Sequence, residues 1–149
     1  MLILLTGAPG TGKTWYIKEM LRKWGFDESE ILALDINNEY ETKYRFYDHH
    51  TLIETASKLR NKVVIFEEAT SFFSSNNSRD VKRFFTTHRH NKLTIFANFH
   101  SLATVPADLL MCTDYLYFTE TMEKNPPKWV GEMEPYTLYD RGQIIQMQS

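Results

Sequence analysis

A phosphate-binding pattern, G-x-x-x-x-G-K-[ST], occurs near the start of the chain. The residues that match it are Gly7, Ala8, Pro9, Gly10, Thr11, Gly12, Lys13 and Thr14. Its glycines let the backbone curl so that successive N–H groups point at phosphate oxygens. We expect Lys13 to reach the β- and γ-phosphates of a nucleotide and the Thr14 hydroxyl to bind Mg²⁺. The pattern therefore predicts a site for ATP and Mg²⁺. A chance Gly-rich turn is disfavoured, because an apolar run precedes the pattern and a helical pattern follows it.

Two carboxylates follow a second apolar run, which covers residues 62–66. In open α/β sheets, ligands bind where strands end, so Glu67 and Glu68 are expected to face the phosphate-binding loop. We assign Glu67 to the metal, where it orients the water shell of Mg²⁺. Glu68 can polarise a water molecule against the γ-phosphate, which is the work of a general base. The alternative is that both acids simply end a strand in solvent.

A third apolar run, residues 93–97, ends in Asn98. An amide at the tip of a central strand can hydrogen-bond the γ-phosphate or the attacking water, and so report which nucleotide is bound. His100 is an alternative polar group for this role. The alternative is that Asn98 forms an ordinary turn at the end of a strand.

The segment 79–92 is basic in a chain whose formal net charge is −2. Its positive residues are Arg79, Lys82, Arg83, Arg89 and Lys92, and Asp80 is its one acid. One interpretation is contact with a nucleic-acid backbone by Arg79, Lys82, Arg83 and Lys92.

A second interpretation is an arginine finger, in which Arg89 or Arg83 reaches the nucleotide of a neighbouring subunit. We expect the run His88-Arg89-His90 to lie near the nucleotide, because it directly precedes a core strand. The third interpretation is a solvated helix face followed by a polar turn.

The length of 149 residues fits one domain, residues 1–149, and the single cysteine, Cys112, excludes an internal disulfide. We expect neither a signal peptide nor a membrane span. Apolar runs that alternate with helical patterns predict an α/β fold with a mainly parallel sheet. The predicted strands are 2–6, 31–36, 62–67, 92–98 and 115–121, and the predicted helices are 13–24, 50–60, 79–88 and 106–111. Residues 74–78 are predicted to form an exposed loop, and residues 136–146 a β-hairpin.

Taken together, these residues resemble the HerA–FtsK group of phosphate-loop ATPases, especially viral DNA-packaging ATPases and zonula-occludens-toxin-like phage proteins. Beyond the loop, the resemblance includes Asp35-Ile36-Asn37-Asn38-Glu39-Tyr40, which is similar to the group's Asp-x-x-x-Glu-Tyr segment. It also includes the pair Glu67-Glu68, Arg89 before the fourth strand and Asn98 at the sensor position. The chain departs from the group's usual residues by Glu in place of Asp at the metal and Asn in place of Gln at the sensor.

The resemblance implies a P-loop NTPase of the additional-strand catalytic-Glu type, with core 1–122 and a C-terminal hairpin extension 123–149. It further implies a ring of five or six copies that couples ATP hydrolysis to DNA movement, with the catalytic set completed by a neighbour's arginine. DNA and a capsid portal or vertex protein are the implied partners, and the host cytoplasm or the packaging vertex of a virion is the implied location. A small-molecule kinase and a nucleotide-switch or loader ATPase are the alternatives.

Overall fold

A computed structural model describes residues 1–73, 78–120 and 127–148, without the side chains of Phe72 and Ser78. The described residues form a seven-stranded sheet, with the spatial order β3-β2-β4-β5-β1-β6-β7. The strands are β1 (Leu2–Thr6), β2 (Ile31–Leu34), β3 (Tyr44–Phe46), β4 (Val63–Phe66), β5 (Thr94–Phe99), β6 (Tyr115–Phe118) and β7 (Thr137–Asp140). All neighbouring pairs are parallel except β6 and β7, which are antiparallel.

Helices cover the two faces of the sheet unequally. They are α1 (Lys13–Trp24), α2 (His49–Ala56), α3 (Ala69–Phe73), α4 (Ser78–Thr87), α5 (Ala107–Cys112) and α6 (Arg141–Gln148). On one face, Ile17 and Leu21 of α1 pack against the sheet. The buried residues of the other five helices pack on the opposite face. Both faces of the central strands are therefore apolar, as a parallel sheet requires.

The strand β1, which lies between β5 and β6, is buried along its whole length. Its side chains alternate between the two faces, with Leu2 and Leu4 in the larger cluster and Ile3 and Leu5 beneath α1. Burial of this strand fixes the point at which the phosphate-binding loop leaves the sheet. The loop then leads directly into α1.

Local signals set the ends of two helices. Gly25 ends α1 with a φ of 72°, and its N–H donates to the carbonyls of Arg22 and Leu21. Asp48 caps α2, since its carboxylate accepts a hydrogen bond from the N–H of Thr51. The end of α1 at Trp24 agrees with the predicted helix 13–24.

The strand β5 lies between β1, which leads into the phosphate-binding loop, and β4, which leads into the acidic pair. This inserted strand defines the additional-strand class of P-loop fold, and the predicted fold class is confirmed. The ends of β1, β4 and β5 meet at one edge of the sheet, which we call the carboxyl edge. The opposite edge is called the amino edge.

Three predictions about elements need correction or fall outside the described residues. The predicted C-terminal hairpin is wrong, because its second strand is the helix α6 and its first strand, β7, pairs with β6. The short strand β3 has no counterpart among the predicted strands. It pairs in parallel with β2 and is the outermost strand on that side of the sheet. The strand predicted over 115–121 is too long, because β6 ends at Phe118 and the described residues 119 and 120 are not in a strand. The predicted loop 74–78 lies outside the described residues except for residue 78, which begins α4. No described helix is long and apolar enough to cross a membrane.

Candidate active site

The phosphate-binding loop bends at the carboxyl edge, directly above the end of β6. Gly7 has a φ of 151°, and a Cβ added there would lie 1.6 Å from Thr119 Oγ1. The Ala8 N–H donates to the Glu120 carbonyl at 2.7 Å. The hydroxyls of Thr11 and Thr119 are 2.6 Å apart. Thr119 and Glu120, the two residues just after β6, therefore fix the shape of the loop, and no sequence pattern indicates Thr119.

Lys13 is folded back over the loop. Its Nζ donates to the carbonyl of Gly7 at 2.5 Å and to that of Phe99 at 3.2 Å, and the residue is only 8% exposed. Burial lowers the pKa of Lys13, while the negative charges of Glu67 and Glu68 oppose this effect. The ammonium group thus lies at the phosphate-binding loop, near both carboxylates of the acidic pair.

Thr14 and Glu67 are in direct contact, although 53 positions separate them in the chain. The Thr14 hydroxyl donates to Glu67 Oε1, and the Tyr40 hydroxyl donates to Glu67 Oε2 at 2.5 Å. Burial raises the pKa of Glu67, whereas these two hydrogen bonds lower it. Burial and the neighbouring Glu67 carboxylate raise the pKa of Tyr40 well above its usual range, so its hydroxyl stays a donor.

The segment after β2 forms a loop around Asp35, which is fully buried. Asp35 accepts hydrogen bonds from the N–H groups of Glu39 and Tyr40 and from Nε of Arg45. The sequence resemblance includes this segment up to Tyr40, but no pattern in it indicates a role for Tyr40 or Arg45. The signal that could have found them is the unusual placement of a charged residue, Asp35, directly after a buried strand.

Glu68 lies beside Glu67 at the end of β4, and its Oε2 is 3.5 Å from Nε2 of His100. Both side chains are partly exposed, so Glu68 is accessible to solvent water. The N–H of His100 donates to the hydroxyl of Thr70, which holds the end of β5 against α3. The structure therefore brings together the two residues that sequence analysis identified at the ends of β4 and β5.

Asn98 lies on β5 opposite Leu5 of β1, on the face of the sheet that carries α1. It is only 3% exposed, and its Oδ1 has no hydrogen-bond partner among the described residues. A buried amide oxygen without a partner is costly unless a further donor occupies the site. Asn98 lies on β5 near the phosphate-binding loop, so a water molecule or a group attached to a bound nucleotide fits as the donor to its Oδ1.

Comparison with known proteins identifies the family. The model of the ATPase family associated with various cellular activities (AAA) matches residues 3–107. The chain belongs to this family. It is an ATP-binding, ATP-hydrolysing enzyme, and the AAA match covers the loop, the acidic pair and Asn98. No curated protein matches the sequence.

Solved structures share the fold of this AAA ATPase along most of its length. The genome packaging NTPase B204 of Sulfolobus turreted icosahedral virus 2, in complex with AMPPCP, superposes with a TM-score of 0.72 at 15% identity. The alignment covers 95% of this chain and 92% of B204. The N-terminal domain of zonular occludens toxin from Neisseria meningitidis has a TM-score of 0.63 at 21% identity, with 83% of this chain and 78% of that chain covered. These two proteins represent the groups named in the sequence resemblance, and at such identities they establish the fold alone.

Arg89 lies at the amino edge, away from the phosphate-binding loop of its own chain. Its Nη2 donates to Asp114 Oδ1 at 2.6 Å, and Asp114 pairs with Leu2 at the start of β1. The expectation that the run His88-Arg89-His90 lies near the nucleotide is therefore wrong within one chain. The reason is that residues preceding a parallel strand lie where the strand starts, whereas the loop of this AAA ATPase follows the end of β1.

The other basic residues of the segment lie on and after α4. Arg79 and Arg83 are exposed, and Lys82 is partly exposed, while Val81, Phe84 and Phe85 on the same helix are buried. Lys92 is exposed in the left-handed region, with a φ of 53°, just before β5. The apolar side of α4 thus packs on the sheet, and its basic residues lie on the exposed side of the helix.

The oxygen ligands at the site fit Mg²⁺. Thr14 and Glu67 place a hydroxyl and a carboxylate in contact, and both are ligand types that Mg²⁺ takes together with phosphate oxygens. In the described part of the chain, no group of three or more His, Cys, Asp or Glu side chains could hold a metal ion unaided.

Proposed function

We propose that this AAA ATPase is a DNA translocase that works as a ring of five or six copies, and that it packages a viral genome. The observation that carries the proposal is the site at the carboxyl edge, where Lys13, the Thr14–Glu67 pair and Glu68 lie together. This set is present in a fold that overlaps a genome packaging NTPase over 95% of the chain.

The proposed chemistry is hydrolysis of the γ-phosphate. The N–H groups of the loop and the Lys13 ammonium bind the phosphates, and Asn98 orients the attacking water. Glu68 takes a proton from this water as its oxygen attacks the γ-phosphorus. The bond from that phosphorus to the β–γ bridging oxygen then breaks, and ADP and phosphate leave.

Thr14 and Glu67 are the residues proposed to hold Mg²⁺. When bound, the ion neutralises charge on the β- and γ-phosphate oxygens. The Thr14 hydroxyl and the Glu67 carboxylate already contact each other, so little rearrangement is needed for both to bind the same ion.

The position of Arg89 supports the ring in this proposal. Arg89 pairs with Asp114 at the amino edge of its own sheet, so in this proposal it completes the site of a neighbouring subunit. Arg83 is the alternative finger. Turnover is then slow in a single subunit and fast in the ring, because the catalytic set is completed between subunits.

The basic surface of Arg79, Lys82, Arg83 and Lys92 is proposed to bind the DNA backbone. Clustered Lys and Arg side chains release counterions from DNA, so this contact is independent of base sequence. The proposed partners are DNA and a capsid portal or vertex protein, and the proposed location is the host cytoplasm or the packaging vertex of a virion.

The test measures ATP turnover with and without DNA while the oligomeric state is determined in the same sample by light scattering. The proposal predicts that turnover rises with DNA and tracks the oligomer. Equal turnover in a monomer would contradict the ring. Transfer of the phosphate to a metabolite instead of water would favour a kinase, and turnover indifferent to DNA would favour a switch or loader ATPase.

A further inference from the structure

Both oxygens of the Glu67 carboxylate are occupied by hydroxyl donors on different elements. The Thr14 hydroxyl, on the first turn of α1, donates to Oε1. The Tyr40 hydroxyl, from the loop after β2, donates to Oε2 at 2.5 Å. Thr14 belongs to the phosphate-binding loop and Tyr40 does not. Tyr40 therefore contacts Glu67, the proposed metal ligand, from outside that loop.

The backbone of Tyr40 is held at both of its polar groups. Its N–H donates to Asp35 Oδ2 at 2.9 Å, and its carbonyl accepts from Arg45 Nη2 at 2.6 Å. Arg45 Nε also donates to the same Asp35 oxygen at 3.2 Å. The three residues thus form a closed arrangement in which an ion pair fixes the position of the tyrosine.

The side chain of Tyr40 is held as firmly as its backbone. The residue is only 3% exposed and packs in the apolar cluster beneath α1. Lys18 Nζ of α1 lies 5.8 Å from the centre of its ring. The phenol oxygen therefore stays at a fixed place beside Glu67.

A glutamate has one more rotatable bond than the aspartate usual at the metal position, so its carboxylate loses more freedom when it is held in one orientation. An anchor on one oxygen reduces that cost. We propose that Tyr40 is a positioning residue that orients the Glu67 carboxylate for the Mg²⁺–nucleotide complex. Asp35 and Arg45 support it by holding its backbone. This inference depends on the role of Glu67 in the proposed function.

The test compares nucleotide affinity with and without the ion. The dissociation constant of a fluorescent ATP analogue is measured in excess Mg²⁺ and in EDTA for the wild type, Tyr40→Phe, Glu67→Gln and the double variant. Tyr40→Phe removes only the hydroxyl and keeps the ring. Tyr47→Phe, at an exposed tyrosine, is the matched control.

We expect Tyr40→Phe to weaken binding about 10-fold in Mg²⁺, as residues that orient metal ligands typically do, and to leave binding in EDTA unchanged. Glu67→Gln should weaken binding in Mg²⁺ at least as much, and the double variant no more than Glu67→Gln alone. Tyr47→Phe should match the wild type in both conditions.

Two results would overturn the inference. One is an equal loss in Mg²⁺ and EDTA, which would make Tyr40 a packing residue. The other is a loss that adds fully to that of Glu67→Gln, since Tyr40 would then act elsewhere. If Glu67→Gln weakens binding in Mg²⁺ and Tyr40→Phe does not, the role of Tyr40 alone fails. If neither variant changes binding in Mg²⁺, the proposed metal role of Glu67 fails as well.

Discussion

Glu68 Oε2 and His100 Nε2 lie 3.5 Å apart, across the ends of the strands β4 and β5. Both side chains are 44% exposed, and a pair this open to solvent contributes less than about 1 kcal/mol. Glu68 can therefore turn from His100 towards a water molecule at little cost. The pair therefore leaves the proposed base free to reorient at the ends of the two strands.

Replacing Glu68 by Gln should keep ATP binding and abolish turnover. The amide preserves size but cannot accept the proton from water, and loss of a general base reduces rates by about 100-fold or more. Steady-state phosphate release and the dissociation constant of a fluorescent ATP analogue check the two halves of the prediction. Glu132→Gln, at an exposed glutamate away from the site, is the control. Retained turnover in Glu68→Gln would assign the base to another residue.

Gly7→Ala should disrupt the phosphate-binding loop. A Cβ at this residue would lie 1.6 Å from Thr119 Oγ1, and the φ of 151° is unfavourable for any side chain. We expect a loss of about 1–3 kcal/mol in the free energy of unfolding together with much weaker ATP binding. Gly131→Ala is the matched control, because no atom lies within 4 Å of a Cβ there. Denaturant unfolding and ATP titration measure both effects, and a wild-type result for Gly7→Ala would show that the loop can move away from Thr119.

The sequence alone predicts β1 and α1 with the bounds that the structure has, Leu2–Thr6 and Lys13–Trp24. Their signals are local, since an apolar run, a glycine-rich loop and a terminal glycine each act within a few residues. The three residues of β3 carry no such signal and become a strand only by pairing with β2. The C-terminal error has the same origin. Ile144 and Ile145 suit a strand as well as a helix, and burial of Ile144 against the large cluster accompanies the helix α6.

The candidate site residues also divide into those that a local pattern predicts and those that only distant contacts reveal. Lys13, Thr14 and Glu67 follow from motifs, and the structure brings them together as expected. Tyr40 and Thr119 act through contacts with residues 27 and 108 positions away, so no local pattern reveals them. The expectation that Arg89 lies near the nucleotide is wrong for a reason that element order contains: residues before a parallel strand lie at the amino edge, whereas the phosphate-binding loop follows the end of β1.

The buried His88 should make the protein less stable in mild acid. Burial lowers its pKa from the usual 6.5, although the hydrogen bond to the Phe85 carbonyl opposes this. As pH falls through about 6.5, His88 binds a proton in the unfolded chain but stays neutral in the folded chain. The free energy of unfolding therefore decreases. Urea unfolding at about pH 7.5 and 5.5 measures this loss. The loss should be smaller in His88→Gln and unchanged in His90→Gln, whose histidine is exposed; an equal loss in both variants would contradict the prediction.

Neutralising Lys82 and Arg83 should weaken DNA binding and its dependence on salt. Each phosphate contact contributes about 0.9 to the slope of log K against log salt, so the double variant should lower that slope by about 2. Fluorescence anisotropy with labelled DNA at several salt concentrations gives both quantities. Lys23→Gln/Lys128→Gln removes two exposed charges outside the segment and should behave as the wild type. An unchanged slope in the Lys82/Arg83 variant would move the DNA contact to another surface.

Arg89→Ala should abolish turnover in a uniform ring and regain it in rings mixed with Glu68→Gln. In a mixed ring, a site that keeps Glu68 can receive Arg89 from the neighbouring Glu68→Gln subunit, so some interfaces have the full catalytic set. Phosphate release from mixtures at several ratios measures the recovery. Loss of the arginine finger from every subunit should lower the turnover rate by a factor of about 1,000 or more.

The ion pair with Asp114 supplies the control for this experiment. If Arg89 serves only that pair, Asp114→Asn should reduce stability and turnover as much as Arg89→Ala, and mixing should restore nothing. A finger, in contrast, needs the arginine and not its partner, so Asp114→Asn should keep most of its turnover. The pair is solvent-exposed on the arginine side, at 52%, so breaking it costs little stability. A large loss of turnover in Arg89→Ala with unchanged unfolding would therefore separate the two roles, and absence of recovery in mixed rings would exclude the finger.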